Sequence, residues 1–344
     1  MIEGESVAVR YTRVDDSYFR IRGLRRYAGV TSLWTLGVGA VISGHFSGWN
    51  LGLAVGGWGG MLLAGWLIAV MYLGLTLSIA CMSPALPQTG GTCSFARSAM
   101  GLWGGFITGV CENVEYVLTP AVVVFLIGAC LGSIFEAPAT FQPIYWIVCS
   151  ILFVGLNIAG VELSFRVTVT VTLLALSCLI AFWIAALPVI DFSRWALKIG
   201  TAGELLPEGQ GLFLPFGLAG AFAAMPFAVW LFLAIEQRPL AAEESVDPRR
   251  DMPKGIILGM TTLLFSAFMV LWLNASLPQG SHALARSTEP LRDGFRAIDG
   301  DGVGRSLATI AVISLITSFP TILYAKGRQI YSCRAPAIGR PGSR

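Results

Sequence analysis

The chain has 344 residues, 55% of them hydrophobic and 12% charged, with a net charge of +3. Soluble domains carry about 25% charged residues, so this composition excludes a soluble globule. Repeated apolar runs of 18 or more residues, each long enough to cross ~30 Å of hydrocarbon as a helix, identify an all-α polytopic membrane protein.

Residues 1–29 are polar and arginine-rich, with no apolar core or small-residue cleavage site, and read as a cytoplasmic tail rather than a signal peptide. Eight spans follow, near 30–56, 58–82, 102–134, 143–161, 165–188, 212–235, 255–277 and 306–331. With the N-terminus inside, 17 of the 23 Lys and Arg residues fall in inner segments and 6 in outer ones. The excess of inner positive charge sets this orientation in the cytoplasmic membrane. Seven cysteines without CxxC or metal spacing support neither a disulfide framework nor a zinc site.

The first span contains TLGVGAVISGHFSGWN, with glycines at 37, 39, 44 and 48. Such glycines either pack closely against a neighbouring helix or unwind the backbone to bind a ligand. The sixth span, in GLAGAFAAMPFAVWLFLAIE, carries Pro226, which removes a donor from the helical ladder. Counting 1.5 Å per residue puts Gly37 to Gly44 about 10–20 Å deep and Pro226 about 20 Å deep. Paired breaks in corresponding helices of two repeats point to a transporter's binding site.

The third span raises a separate question, because Glu112 and Glu115 in CENVEYVLTP are the only acids between Ser98 and Phe135. A charge at mid-membrane costs from about 2.5 kcal/mol upward. A protonated glutamate bonded to a neighbouring helix is one explanation. The other is a carboxylate that meets a substrate ammonium or a transported proton. Glu112, ~15 Å into its span, matches the depth of the breaks; Glu115 reads as a partner, a proton relay, or a second polar group in a wet cavity. Trp34, Phe222, Phe227 and Trp230 are candidates for a cation–π cage, Phe222 and Phe227 being nearest the break. His45 reads as a hydrogen-bonded spacer, Glu236 as an interfacial acid, and AAEESVDPRRDMPKG (241–255) as a solvated inner connector.

SPALPQTGGTCSFARSAMG (83–101) resembles the proline and double-glycine loop of the amino acid–polyamine–organocation transporters. GVGAVISGHFSGWNLGLAVGG, GFITGVCENVEYVLTPAVVV, AAEESVDPRRDMPKG and YAKGRQIYS are similar to the bacterial ethanolamine permease group. The resemblance implies a five-plus-five inverted-repeat fold, with about eight of the usual twelve spans present. The first repeat would occupy 30–188, an outer loop 189–211, a partial second repeat 212–331 and an aberrant inner tail 332–344. On that reading the chain is a truncated or frameshifted permease. At position 45 the group would carry an acid, and this chain has histidine.

The resemblance also implies secondary transport, as proton-coupled symport or exchange, of a small primary amine, ethanolamine first. The site is expected to comprise Gly37, Val38, Gly39, Ala40, Gly44, Glu112, Glu115, Phe222, Ala223, Pro226 and Phe227. An amino-acid permease and a non-transporting product are the alternatives. No phosphate loop, nucleophile–base set or metal cluster is found, so no ATP, cofactor, metal, catalytic residue or nucleic acid is expected. The expected partners are the amine, a coupling proton and the lipid bilayer.

Overall fold

The computed structural model describes residues 12–13, 28–85, 90–159, 161–197, 213–300, 318–319, 321–330 and 338–339. The chain enters the bundle at α1 (Val30–Val41), buried along its length from Leu36 to Val41. Helix geometry is then lost in steps. A single turn, α2 (Ser43–Phe46), ends at extended Ser47; Gly48 takes φ +99°, open to glycine at little steric cost; and a 3-10 turn, Trp49–Leu51, follows.

From there α3 (Gly52–Met82) runs for 31 residues and bends at Gly57, φ +64°. The next helix, α4 (Gly91–Ile134), bends at Gly101 and carries Pro120 inside it. After α5 (Gln142–Ala159) and α6 (Val161–Ala186) comes a π-helical turn, Phe192–Ala196, capped by the Asp191 carboxylate. Then come α7 (Gly217–Val229), α8 (Pro248–Ala275), two short helices, α9 (Gly280–Leu284) and α10 (Pro290–Asp299), and a helical segment, α11, over 321–330.

Trp49–Met82, Gly91–Gly132, Val167–Ala186 and Pro248–Ala275 are long and apolar enough to cross a membrane, and Val30–Val41, Gln142–Gly155 and Gly217–Val229 are shorter apolar helices. Small residues set the closest packing, as expected where lipid gives helices no hydrophobic drive to associate. A Cβ on Gly56 of α3 would lie 2.9 Å from the Cβ of Ala224 in α7. The β pairing among described residues is a two-residue parallel contact, Thr12–Arg13 with Ile338–Gly339, Thr12 opposite Ile338, and an isolated parallel bridge between Ala28 and Ser245.

Several boundaries differ from the sequence reading. The second span starts at Gly52, inside the expected first span, because Gly57 bends a helix rather than ending it. For the same reason the third begins at Gly91, ahead of a bend at Gly101. The sixth stops at Val229; a turn over Trp230–Ala234 leads into a 3-10 segment, Ile235–Glu244. The seventh starts at Pro248, whose missing N–H is harmless at a helix N-terminus. Most of the expected eighth span, from 306 to 317, lies outside the described residues, as do 1–11, most of the outer loop 189–211 and most of the tail 332–344.

The expected solvated connector is buried over its first half. Ala241, Ala242, Glu244 and Ser245 are all enclosed. Ala28 N–H donates to the Glu244 carbonyl at 3.0 Å, and Val246 N–H returns a bond to the Ala28 carbonyl at 3.0 Å. The Glu244 carboxylate pairs with Arg328 and accepts from the Tyr324 hydroxyl at 2.5 Å.

The two interrupted regions meet at Gly44, where an added Cβ would run into the backbone carbonyl of Trp230. Gly44→Ala is expected to cost about 1–3 kcal/mol, because backbone on both sides must shift. Gly65→Ala, at a position with nothing within 4 Å, is expected to be neutral or slightly stabilising. Unfolding of the two purified variants in detergent tests the difference.

Candidate functional site

A carboxyl cluster forms where α4, the 3-10 segment after α7 and α11 converge. Glu112 and Glu115, three residues apart, sit on nearly one face of α4. Glu112 is 6% exposed, and its Oε2 accepts from Gln329 Nε2 of α11 at 2.7 Å. The same Gln329 amide reaches the Gly109 carbonyl at 3.2 Å, so one side chain ties α11 to both the backbone and the acid of α4.

The third acid is Glu236. It is 8% exposed, which corrects the expected interfacial position: the 3-10 segment turns it inward instead of carrying span 6 on to the surface. Its carboxyl group lies within hydrogen-bond reach of the Glu115 carboxyl. Both Glu236 oxygens and Glu115 Oε1 find no donor among the described residues. Two ionised carboxylates cannot bond each other, so this pair needs a shared proton or a cation between its members. The buried phenol of Tyr116, its hydroxyl likewise without a partner, stands within electrostatic range of all three acids.

The glycine-rich first span supplies the neighbouring wall. Gly37 and Ala40 line a small cavity with Leu36, Gln237, Arg238 and Thr321. The Gly39 carbonyl accepts from Ser318 Oγ at 2.8 Å, and Val38 is fully buried in the apolar core. Gly44 lies against the Trp230 carbonyl. The sixth-span residues are placed differently. Phe222, Ala223 and Pro226 lie on the exposed side of α7, and Phe227 packs beside Gly52. Trp34 donates to Thr262 Oγ1 at 3.0 Å, and Trp230 lies beside Gly48. The four aromatics therefore do not assemble into a cage: the helix ends three residues after Pro226, and its outward face carries Phe222 away.

His45 is a spacer, with a specific task. Its Nε2 donates to the Leu231 carbonyl at 2.9 Å, and Nδ1 is 2.6 Å from the Ser266 hydroxyl. The ring fastens the break of the first span to the break of the sixth and to α8.

Sequence reasoning missed Glu236, Arg238, Gln329 and Tyr116. The available signal was that Glu236 and Arg238 adjoin an apolar run with no turn residue before Pro239. Gln329→Leu is expected to destabilise the protein by about 1–3 kcal/mol, because it strips the buried Glu112 of its donor. Combining it with Glu112→Leu is expected to recover much of that loss, since neither partner is then left unpaired. Melting of the single and double variants measures both.

Residues 33–334 match the amino acid permease family. An uncharacterized transporter of Rhizobium meliloti (strain 1021) is 27% identical over 299 residues, covering 84% of this chain and 62% of its own length. The methylthioribose transporter of Bacillus subtilis (strain 168) is 22% identical over 337 residues, 90% of this chain and 68% of the relative. A branched-chain amino acid permease of the same organism is 26% identical over 260 residues, 70% and 52%. The chain thus spans roughly half to two thirds of the length of these relatives.

Among solved structures, a Na+-coupled sialic acid symporter superposes with a TM-score of 0.59 at 13% identity, over 96% of this chain and 70% of the symporter. A nucleobase-cation-symport-1 family transporter in a closed conformation gives 0.50 at 15%, over 90% and 67%. The helical fold is the one these transporters share. With the family match running from α1 past α11, this multi-pass membrane chain belongs to the amino acid permease family.

Proposed function

We propose that the chain moves a small primary amine across the cytoplasmic membrane by proton-coupled symport or exchange, with its N-terminus inside. The convergence of Glu112, Glu115 and Glu236 carries this reading. Three carboxyl groups with one amide donor among the described residues make a site without a bonded positive charge. An ammonium group supplies that charge and up to three donors. Glu112 is the primary ligand: Gln329 holds its Oε2 in place and leaves Oε1 for the substrate. The Glu115–Glu236 pair holds a proton in the absence of the amine and releases it when the ammonium enters the site, which links the two fluxes as exchange rather than symport.

Two substrates fit this chemistry. Ethanolamine is supported by the similarity of GFITGVCENVEYVLTPAVVV and its companion motifs to the ethanolamine permease group. An amino acid is supported by the family match and by a relative named as a branched-chain amino acid permease. Competition against labelled ethanolamine separates them: strong inhibition by alanine or serine and none by amine alcohols would remove ethanolamine.

Glu112→Gln keeps the shape of the side chain and removes its charge. Uptake into proteoliposomes is expected to fall at least about tenfold, a loss of roughly 1.4 kcal/mol or more in substrate stabilisation. Its pH dependence is expected to change as well. Unchanged uptake with an unchanged pH profile excludes the role given to Glu112, and flat uptake by well-expressed wild-type chain excludes transport by this chain.

A further inference from the structure

The start of α8 carries a group of charges that the transport site leaves without a role. Asp247, Arg250 and Lys254 are exposed and Asp251 is half-buried. With about 100° between successive residues, these four and, further along, Ile257, Leu258, Phe265 and Phe268 all fall within about 120° of the helix circumference. The four apolar side chains are 46% to 55% exposed. Thr261 lies among them, but its hydroxyl turns back onto the Ile257 carbonyl at 3.0 Å. One face of a helix long enough to cross the membrane thus passes from four charges to an open apolar stripe.

Among the described residues none of these four charges joins an ion pair. Asp251 Oδ2 accepts from the Asp247 N–H at 3.3 Å, and the Asp247 carboxylate, at the N-cap position, makes no capping bond. Lys and Arg bias membrane topology and acids contribute little to it, so topology explains Arg250 and Lys254 but not two acids beside them. The face has built borders. Gly255 brings α1 against one edge, where an added Cβ would lie 2.9 Å from the Cβ of Leu33. Trp183 of α6 stands perpendicular to Phe265, with ring centroids 5.7 Å apart. Along the axis, Asp247 to Lys254 rises ~10 Å and Ile257 to Phe268 ~16 Å. One leaflet offers ~15 Å of hydrocarbon beneath its headgroup layer, so charges and stripe match the two layers in order and in length.

We infer that this face of α8 binds a phospholipid whose headgroup carries a primary ammonium, phosphatidylethanolamine in chemical type, from the leaflet that meets the start of the helix. Arg250 and Lys254 hold the phosphate. Asp247 and Asp251 accept N–H bonds from the ammonium, and one acyl chain lies along the stripe from Ile257 to Phe268. The two acids set the choice of headgroup: they repel a purely anionic lipid, and a choline headgroup has no N–H to give them. The lipid is a bound partner and not cargo, so the site stands apart from the carboxyl cluster and from the transport reading.

Native mass spectrometry of the purified full chain counts the lipids it keeps from micelles holding equal amounts of phosphatidylethanolamine, phosphatidylglycerol and phosphatidylcholine with the same acyl chains. Wild type is expected to keep the ethanolamine lipid at least about fivefold over either competitor. Arg250→Gln combined with Lys254→Gln is expected to lower its retention at least about tenfold. Asp247→Asn combined with Asp251→Asn is expected to keep lipid bound while erasing the preference over phosphatidylcholine. Arg249→Gln removes the same charge from the same end of the helix, but on its opposite side, and is expected to leave retention within about twofold. Melting in lipid-free detergent, expected to be unchanged, reports that each variant is folded.

Equal retention of the three lipids by wild type, or a preference for phosphatidylglycerol, overturns the assignment without any variant. So does retention that survives the Arg250 and Lys254 substitutions, or that falls as far in Arg249→Gln, since a general attraction to positive charge then accounts for the binding.

Discussion

A backbone group released from a helix inside hydrocarbon has no water to turn to, and the central arrangement of this protein follows from that constraint. Both interrupted regions face it, and they meet it through local turns and a few side-chain bonds, one of which joins the two. His45, in the unwound part of the first span, donates to the carbonyl of Leu231, freed where the sixth span ends. Asn50 gives its amide to the carbonyls of Leu284 and Ser287, at 2.7 and 2.8 Å, while its own Oδ1 accepts from Gly48 N–H. Gly44 lets the two breaks approach until backbone touches backbone.

Once the chain leaves helical geometry after Val229, its next ten residues carry Glu236, Gln237 and Arg238 inward rather than out to the membrane surface. A continuous helix would have spread these side chains around its circumference and sent some into lipid. The 3-10 segment instead brings acid and base to opposite neighbours, Glu236 toward α4 and Arg238 between α1 and α8. One short irregular stretch thereby buries both side chains.

Much of this was legible in the sequence, for a definable reason. Hydropathy is a local property, so the spans, the glycine interruption and the unusual burial of Glu112 could be read without a structure. Gly57 and Gly101 misled because a glycine that ends a helix and one that bends it look alike in a single sequence. The partner of Glu112 was not legible at all: Gln329 is separated from it by 217 residues and lies in a segment with no polar anomaly. Glu236 was placed at the interface by counting along a helix that in fact ends at Val229. Aromatic side chains in the sixth span suggested a cage, but rotation about the helix axis decides which way a ring points, and Pro226 carries no information about that.

The bonds of Asn50 have a mechanical consequence. They reach from the broken first span to the segment that holds α9 and α10, and Ser47 adds a third bond to the Thr288 carbonyl at 2.9 Å. These three bonds tie the backbone around the break to that segment. At its other end the same stretch is pinned through His45 to the sixth span. Any displacement of the first span at this point therefore either carries the segment of α9 and α10 with it or breaks these three bonds.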